Sequence, residues 1–232
     1  MKRKVMFITA LLISYSMTTR GESKFEVTAG ADWVSSYVWR GMYQTGVSVQ
    51  PGLTLSFGGL SLGAWGSTDF STAAKEFDIT LGFEAGGLGI GITDYWWEGE
   101  GNPYGHYTDA HFIEGAVSYN FGESFPLTLS WNTMLGLHAD KDGEGKQQYS
   151  TYVGAGYDFS VGEDITLSAG IGVSPWTGIY HKAGTEGFAL SVVSLRATKE
   201  LKITDSFRLP VFVETIVAPN QDNVFLVIGV SL

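Results

Sequence analysis

Apolar and small polar residues alternate with a period of two along most of this chain. Such alternation puts apolar side chains on one face of an extended strand and polar side chains on the other. A helix would instead bury every third or fourth residue, so the pattern predicts an all-β protein. We predict twelve strands, at residues 24–40, 46–57, 60–68, 76–85, 88–97, 107–121, 125–138, 147–159, 164–174, 187–199, 206–217 and 223–232.

The connections between these strands alternate in length. Gly58-Gly59 and Gly86-Gly87 are tight turns that use glycine where φ must be positive, whereas residues 98–106 and 175–186 form longer loops. Because twelve is an even number, both chain ends fall on the side of the short turns. Short turns on the terminal side and longer loops on the opposite side are typical of outer-membrane β-barrels.

The polar face of each strand indicates which face meets lipid. In residues 164–174 the apolar positions include Leu167, while the opposite face carries Thr166, Ser168 and Gly170. A water-facing exterior would be rich in Lys and Glu, but small polar residues suit a narrow polar lumen. Only 16% of the residues are charged and 31 are glycine, which fits the same interpretation. We therefore predict a single closed antiparallel transmembrane β-barrel whose apolar face meets lipid.

Aromatic residues mark both ends of the predicted strands. Phe25 and Trp33 lie eight positions apart. At about 3.3 Å per residue and a tilt of about 40°, that separation spans roughly 20 Å, close to the ~25 Å apolar band of an outer-membrane barrel. We predict that two aromatic girdles include Phe25, Trp33, Trp39, Phe57, Phe83, Phe121, Phe159 and Phe207.

The first residues resemble a secretory signal. Lys2, Arg3 and Lys4 precede an apolar stretch of about ten residues, which is too short to span a bilayer of about 30 Å. No cysteine follows this stretch, so a lipoprotein anchor is excluded. We predict a signal peptide over residues 1–22 and an outer-membrane barrel of a Gram-negative bacterium over residues 23–232.

Charge and composition narrow the chemistry. A net charge of −10 argues against a nucleic-acid partner, and the absence of cysteine excludes thiolate metal sites. Residues 140–145 resemble the start of a calcium loop, but Thr151 stands where that loop requires Glu. The four histidines lack metal-site spacing, and no phosphate-binding motif precedes a helix. We expect no metal, no cofactor and no enzymatic activity.

The last predicted strand, residues 223–232, indicates how the barrel closes. Val224, Leu226 and Ile228 share its apolar face. This strand is expected to pair with the first strand and resembles the C-terminal signal read by the barrel-insertion machinery, with Leu232 in place of the usual Phe. The expected partners are outer-membrane lipid and that machinery, together with other envelope proteins if the barrel has an assembly role.

Several motifs resemble one protein family. Residues 35–41 read SSYVWRG, and they are followed by QPGL at 50–53, LGAWGS at 62–67, EFD at 76–78 and HFIEGAVS at 111–118. In this order the segments resemble the TorF-like porin family, also described as the Gcw_chp domain. The resemblance implies an outer-membrane β-barrel of the porin class with no established solute.

Charged residues on the predicted lumen face are the candidate functional positions. An isolated charge in a narrow lumen is costly unless it is paired, so Arg40 should meet carboxylates near the loop-side rim. Such a network either braces the wall or forms a charged constriction that selects solutes. A phase shift in the strand before Arg196 leaves the facing of that residue open. The lumen candidates are Asp32, Arg40, Glu76, Asp78 and Glu114.

Three functional classes are compatible with this pattern. The leading hypothesis is a porin that passes small hydrophilic solutes or ions by passive diffusion, because twelve strands lie between the filled eight-stranded barrel and the open sixteen-stranded barrel. The alternative is a closed structural or assembly barrel that binds other envelope proteins. The third class is a hydrolase built into the barrel wall from Asn132, His138 and Ser150, although no catalytic motif supports it.

Overall fold

The computed structural model describes residues 24–70, 75–98, 102–136, 139–162 and 164–232. The predicted signal peptide lies outside these residues. No helix among the described residues is long and apolar enough to cross a bilayer. The strands are β1 (Phe25–Val34), β2 (Tyr37–Trp39), β3 (Met42–Thr45), β4 (Ser48–Phe57), β5 (Leu60–Asp69), β6 (Lys75–Ala85), β7 (Leu88–Trp97), β8 (His111–Asn120), β9 (Leu127–Met134), β10 (Thr151–Val161), β11 (Ile165–Ser174), β12 (Ala189–Lys202), β13 (Arg208–Ala218) and β14 (Asn223–Ser231), with one 3₁₀ turn at Pro219–Gln221.

Twelve of these strands form one closed antiparallel barrel, as the alternating pattern predicts. From β4 to β14 each barrel strand pairs with its neighbours in chain order, and β1 completes the ring by pairing with both β4 and β14. At the closure, the backbones of Ala31 and Leu232 exchange two hydrogen bonds of 3.1 and 2.9 Å. A closed ring leaves few unpaired strand edges. Because the number of barrel strands is even, the start of β1 and the end of β14 both lie on the side of the short turns.

The alternation of the sequence becomes an outer wall and an inner wall. Leu81 and Ile90 on the outer wall are 53% and 49% exposed, whereas Thr54 and Thr93 on the inner wall are 4% and 7% exposed. Because neighbouring strands pair in register, apolar residues lie beside apolar residues around the outside. The small polar residues of the sequence accordingly line the lumen.

The prediction that the first strand continues to residue 40 is wrong. Strand β1 ends at Val34, and at the next residue Ser35 the backbone N–H donates to Ile228 O while the hydroxyl accepts from Ile228 N–H, at 2.8 and 2.9 Å. The hydroxyl takes the place of a ladder carbonyl, and the chain leaves the wall there. Residues 35–47 then fold into the lumen as a small antiparallel hairpin of β2 and β3, here named the plug hairpin.

The assignment of Trp39 to a lipid-facing girdle is also wrong. Trp39 belongs to the plug hairpin and is only 3% exposed, because its ring packs against side chains of the inner wall. Trp33, near the end of β1, is 45% exposed on the outer wall and stacks on Phe70. The remaining predicted girdle residues lie exposed at turn-side strand ends: Phe25, Phe57, Phe83, Phe121, Phe159 and Phe207.

A β-bulge explains the phase shift before Arg196. Gly172 pairs with Val192 but Val173 pairs with Leu190, so Ser191 is an extra residue in β12. The extra residue moves the following side chains by one position relative to the pattern that precedes it. Arg196 consequently points into the lumen, where its side chain is largely buried.

Candidate functional site

The plug hairpin turns at its tip through two residues with positive φ. Arg40 has φ of 50° and Gly41 has φ of 86°, and Trp39 pairs with Met42 across this two-residue turn. Two consecutive positive φ values are the signature of the tight turns that join twisted antiparallel strands. A Cβ on Gly41 would lie 2.5 Å from the carbonyl oxygen of Ser191 in β12, so the tip packs directly against the opposite wall. Glycine at position 41 supplies one of the two positive φ values that this turn requires.

Aromatic rings hold the plug hairpin in the loop-side half of the lumen. The ring of Trp39 lies 5.5 to 5.6 Å, centroid to centroid, from the rings of Tyr95, Trp97 and Tyr180. Tyr180 comes from the loop between β11 and β12, which also folds inward, and it is only 1% exposed. Tilted aromatic pairs at such distances add to the stabilisation from burial. The loop-side half of the barrel is therefore a packed core.

An ion pair fixes the tip of the plug hairpin to the wall. Arg40 donates to both carboxylate oxygens of Glu114 in β8, with Nη2 2.9 Å from Oε1, and it also donates to the hydroxyl of Tyr180. Glu114 further accepts from the hydroxyls of Tyr95 and Tyr180, at 3.1 and 3.2 Å. The guanidinium lies 4.8 Å from the ring centroids of Trp39 and Tyr152. A bidentate, ring-flanked pair of this kind is highly directional.

Burial and neighbouring charges also determine the ionisation states of Tyr37 and Arg40 in the plug hairpin and of Tyr180 beside it. Burial raises the pKa of Tyr37 well above its ordinary value, and the charges of Glu76 and Asp78 add to the effect. Burial alone would lower the pKa of Arg40, but the Glu114 carboxylate, together with Tyr180 and Tyr95, outweighs the effect of burial and raises that pKa. Burial likewise raises the pKa of Tyr180. Tyr37 and Tyr180 therefore remain neutral hydroxyls, and Arg40 remains charged.

Two carboxylates on the inner wall of β6 lie beside the plug hairpin without a counter-charge. Glu76 and Asp78 are 5% and 7% exposed. Both oxygens of Glu76 and Oδ1 of Asp78 are buried without a hydrogen bond of normal geometry within the described part of the chain. The side chains of Tyr37 and Trp97 lie close enough to Glu76 to interact with it. Burying a charged carboxylate without a counter-charge costs free energy of folding, so close packing alone does not account for these two residues.

A second buried ion pair lies on the inner wall between β12 and β13. Arg196 donates from Nε and Nη2 to Oε2 of Glu214, at 2.8 and 2.6 Å, and its guanidinium lies 4.0 Å from the ring centroid of Phe212. The two residues are directly opposite each other in the register. Sequence reasoning missed Glu214, although it follows the outward-facing Val213 on its strand. This pair braces adjacent strands and does not touch the plug hairpin through any described contact.

The structure brings four of the five predicted lumen residues to the plug. Arg40 pairs with Glu114, while Glu76 and Asp78 lie near Tyr37 of the same hairpin. Asp32 lies on the wall of β1, where it is opposite Gln50 of β4 and Ser231 of β14. It is not among the described partners of Arg40.

The residues of the hydrolase hypothesis have other partners. The hydroxyl of Ser150 donates to Asp140 and accepts from the backbone N–H of Ile179 at 2.8 Å, so it ties two loops together. The amide of Asn132 donates to the backbone carbonyl of Tyr152 at 3.2 Å. His138 lies outside the described residues.

The acidic loop after β9 uses its carboxylates to stabilise itself. Asp142 Oδ1 accepts from the backbone N–H groups of Glu144 and Lys146, both at 2.9 Å, and Asp140 accepts from Ser150 and Gln147. The carboxylates therefore serve different donors and do not face a common centre. Across the described ranges, no three His, Cys, Asp or Glu side chains are grouped as metal ligands.

The turn-side half of the lumen differs from the plugged half. Its wall carries small residues, and a methyl group built on Gly156 would meet nothing within 4 Å. Thr28 and Ser160 face inward there and are nevertheless exposed to solvent. The barrel thus combines a solvent-accessible turn-side vestibule with a packed loop-side plug.

Comparisons with known proteins identify one family. The family described as "Bacterial protein of unknown function (Gcw_chp)" matches residues 18–186, which include the plug hairpin and Tyr180. No curated protein and no solved structure matches the chain. The predicted Gcw_chp resemblance is confirmed over a longer stretch than the motifs covered, while the description carries no porin activity. The chain belongs to the Gcw_chp family of bacterial proteins of unknown function.

Proposed function

We propose that this protein is an outer-membrane β-barrel that passes small hydrophilic solutes or ions by passive diffusion, with the plug hairpin as its constriction. The proposal assigns no catalytic activity to the chain. The observation that carries it is the position of Arg40, because its buried ion pair with Glu114, together with the aromatic packing of Trp39, holds the plug hairpin across the loop-side half of the lumen.

The outer wall supports a membrane location. Its mid-strand residues are apolar and exposed, as Leu62, Ile79 and Ile92 illustrate, and soluble proteins rarely leave so continuous an apolar surface in water. Exposed phenylalanines lie at the turn-side strand ends, as expected of an aromatic girdle at a membrane interface. A closed barrel is one of the two architectures that satisfy every backbone group within lipid.

The inner wall supports a passage for water and ions. Twelve strands enclose more space than side chains as small as Gly, Ser and Thr can fill, so the turn-side vestibule should be hydrated. On the loop side the plug hairpin takes up that space instead. Passage across the membrane then requires either a narrow path beside the hairpin or its displacement from the lumen.

Single-channel recording in planar bilayers tests this function. Val34 lies directly opposite Ser48 in the register, so a two-residue Asn-Gly turn can replace residues 35–47 without stretching the wall. We expect the complete protein to show small conductance and this deletion variant to show a conductance at least several-fold larger. Because Glu76, Asp78 and Glu114 would then line an open lumen without Arg40, the variant should also prefer cations in reversal-potential measurements.

A matched control removes charge but keeps the plug hairpin. Glu84→Gln changes a lumen carboxylate of β6 far from the hairpin tip, so it should leave the conductance close to that of the complete protein. If the folded deletion variant conducts no better than the complete protein, the plug hairpin is not the constriction. If neither conducts at any voltage, the channel proposal fails.

The tightness of the plug favours a second candidate, a closed barrel with a structural or assembly role. Trp39, Glu114 and Tyr180 are 3%, 1% and 1% exposed, values that match a permanent core. For such a barrel the deletion variant conducts, whereas the complete protein stays silent and can be cross-linked to other envelope proteins through its loops. Recording both proteins under identical conditions separates the two candidates.

A further inference from the structure

We propose that Glu76 and Asp78, with the hydroxyls of Ser67 and Tyr37, form a binding site for a small hard metal cation of the Ca²⁺ type on the inner wall beside the plug hairpin. This site goes beyond the proposed function, and it does not depend on whether the barrel conducts. The local pairing of the strands, the unmet hydrogen-bonding capacity of the oxygens and the local charge balance support it.

Strand pairing brings the candidate ligands together. Ser67 in β5 is directly opposite Glu76 in β6, and both side chains face the lumen. Asp78 is two residues further along the same face of β6, so its carboxylate follows that of Glu76. Tyr37 of the plug hairpin packs against Trp65, with 5.6 Å between the ring centroids, and Trp65 is directly opposite Asp78, so Tyr37 lies beside both carboxylates. Four oxygen-bearing side chains from three segments therefore converge on one stretch of wall.

These oxygens have unmet capacity for a ligand. Within the described residues, Ser67 Oγ, both carboxylate oxygens of Glu76 and Oδ1 of Asp78 are buried without a hydrogen bond of normal geometry, and only the side chains of Tyr37 and Trp97 lie close to Glu76 as neutral donors. Ser67 is an independent indication, since it is an uncharged side chain, 5% exposed, opposite Glu76. Native proteins seldom leave several such groups together without a partner.

The local charge balance calls for a cation. The charge of Glu114 is neutralised by Arg40 through two hydrogen bonds, and Arg40 has no described ion pair with Glu76 or Asp78. Two carboxylates in one buried region therefore lack a counter-charge. This is unfavourable unless a cation binds between them or both carboxylates are protonated. A bound cation would also restrain Tyr37, and so link the plug hairpin to β6.

The chemistry of the oxygens indicates the class of cation. Carboxylates and hydroxyls are hard ligands of the kind that Ca²⁺ and Mg²⁺ prefer. The chain has no cysteine to favour zinc or copper, and the imidazoles of His111 and His181 bond to Asp94 and to the carbonyl of Gly187 instead. Ser67 Oγ, both carboxylate oxygens of Glu76 and Oδ1 of Asp78 are sealed from solvent, so the occupant must be small. An organic cation would need a cavity of its own, whereas a dehydrated metal ion needs only the space between its ligands.

Terbium luminescence tests the site directly. Tb³⁺ replaces Ca²⁺ at oxygen sites and emits when nearby indole rings are excited, and both Trp97 and Trp65 adjoin the carboxylates. The complete protein, folded in detergent micelles with Tb³⁺ present, should give saturable emission that Ca²⁺ competes away. The isosteric double variant Glu76→Gln, Asp78→Asn should lose at least tenfold in apparent affinity for Tb³⁺.

Two controls separate this site from other carboxylates. Glu84→Gln alters a carboxylate on the same face of β6, and Asp142→Asn with Glu144→Gln removes two of the three carboxylates of the acidic loop. Both controls should keep the emission of the complete protein. If the emission is lost in the loop variant, or if it persists in the double variant, the cation binds elsewhere and the proposal is wrong.

A second measurement covers the case in which the double variant does not fold. The midpoint of thermal unfolding of the complete protein should rise when Ca²⁺ replaces a chelator in the buffer, because a ligand that binds only the folded state stabilises it. The same rise should occur in the Glu84→Gln variant. If neither Ca²⁺ nor Mg²⁺ shifts the midpoint and Tb³⁺ gives no saturable emission, protons neutralise the two carboxylates and the proposal is overturned.

Discussion

At the scale of single residues, Arg40 joins the tip of the plug hairpin to Glu114 and Tyr180 and lies over the rings of Trp39 and Tyr152. The variant Arg40→Met leaves the buried carboxylate of Glu114 without its counter-charge, and breaking a buried pair in this way costs about 3–5 kcal/mol. The hydroxyls of Tyr95 and Tyr180 still donate to Glu114, so we expect the lower end of that range. Urea titration of the barrel folded into lipid vesicles measures the loss in free energy of unfolding.

A double-mutant cycle supplies the control for this variant. Combining Arg40→Met with Glu114→Gln removes both charges, and the combined loss should be clearly smaller than the sum of the two single losses. Strictly additive losses would mean that the ion pair contributes no coupling. In that case the aromatic packing of the plug hairpin, and not its charge, would hold it in place.

Two lumen glycines offer a matched test of how tightly the plug packs. A Cβ on Gly172 would lie 1.9 Å from the hydroxyl of Tyr152, whose ring is held between Arg40 and Tyr180. Gly172→Ala should therefore lower the free energy of unfolding by about 1–3 kcal/mol, the usual cost of overpacking. Gly156→Ala meets nothing within 4 Å and should change it by no more than about 0.5 kcal/mol. Equal losses in the two variants would contradict the position of Tyr152.

At the scale of elements, the seam between β1 and β14 is short. Only Asp32, Trp33 and Val34 are paired in the ladder with β14, and the Ala31 and Ser35 backbones extend it by one residue at each end. Residues 25–30 of β1 pair with β4 alone. The closure of the barrel therefore depends on far fewer backbone hydrogen bonds than the neighbouring strand pairs.

A disulfide can test the register of that seam. The chain has no cysteine, so Asp32→Cys with Ser231→Cys introduces a unique pair at directly opposed positions between hydrogen-bonded pairs, where Cα atoms are closest. We expect this variant to oxidise readily and to resist unfolding on a non-reducing gel. The control Glu26→Cys with Ser231→Cys lies on the same face, six residues away along β1, and should not cross-link. Efficient cross-linking of the control instead would refute the register.

At the scale of the whole molecule, the two walls of the barrel should respond differently to the same charge. Leu81→Arg places a guanidinium on the apolar outer wall, where it should cost about 2 kcal/mol or more in lipid vesicles because the charge enters hydrocarbon. Ser118→Arg points into the turn-side vestibule, near the Glu84 side chain beside Gly89, and should cost much less. Equal costs in urea titrations of the two variants would contradict the proposed membrane placement.

Most of the wall could be predicted from the sequence because each strand carries its own evidence. The alternation around Leu81 or Leu167 is a local property, and it gives the strand and its apolar face without reference to any other part of the chain. The facing of Arg196 could not be predicted, because the bulge at Ser191 is recognisable only from the pairing of β12 with β11. Glu214 was missed for the same reason, since its role depends on the residue opposite.

The sequence by itself determined the twelve-stranded barrel, its even topology and the small polar character of the lumen, because period-two patterning and turn residues act over a few positions. Only the tertiary structure decided that Trp39 and Arg40 leave the wall and plug the lumen. Tyr37 to Trp39 extends the alternating pattern of β1, so continuation along the wall and insertion into the lumen look alike locally. The difference lies in contacts with Tyr95, Glu114 and Tyr180, which are distant in sequence and become neighbours only when the barrel closes.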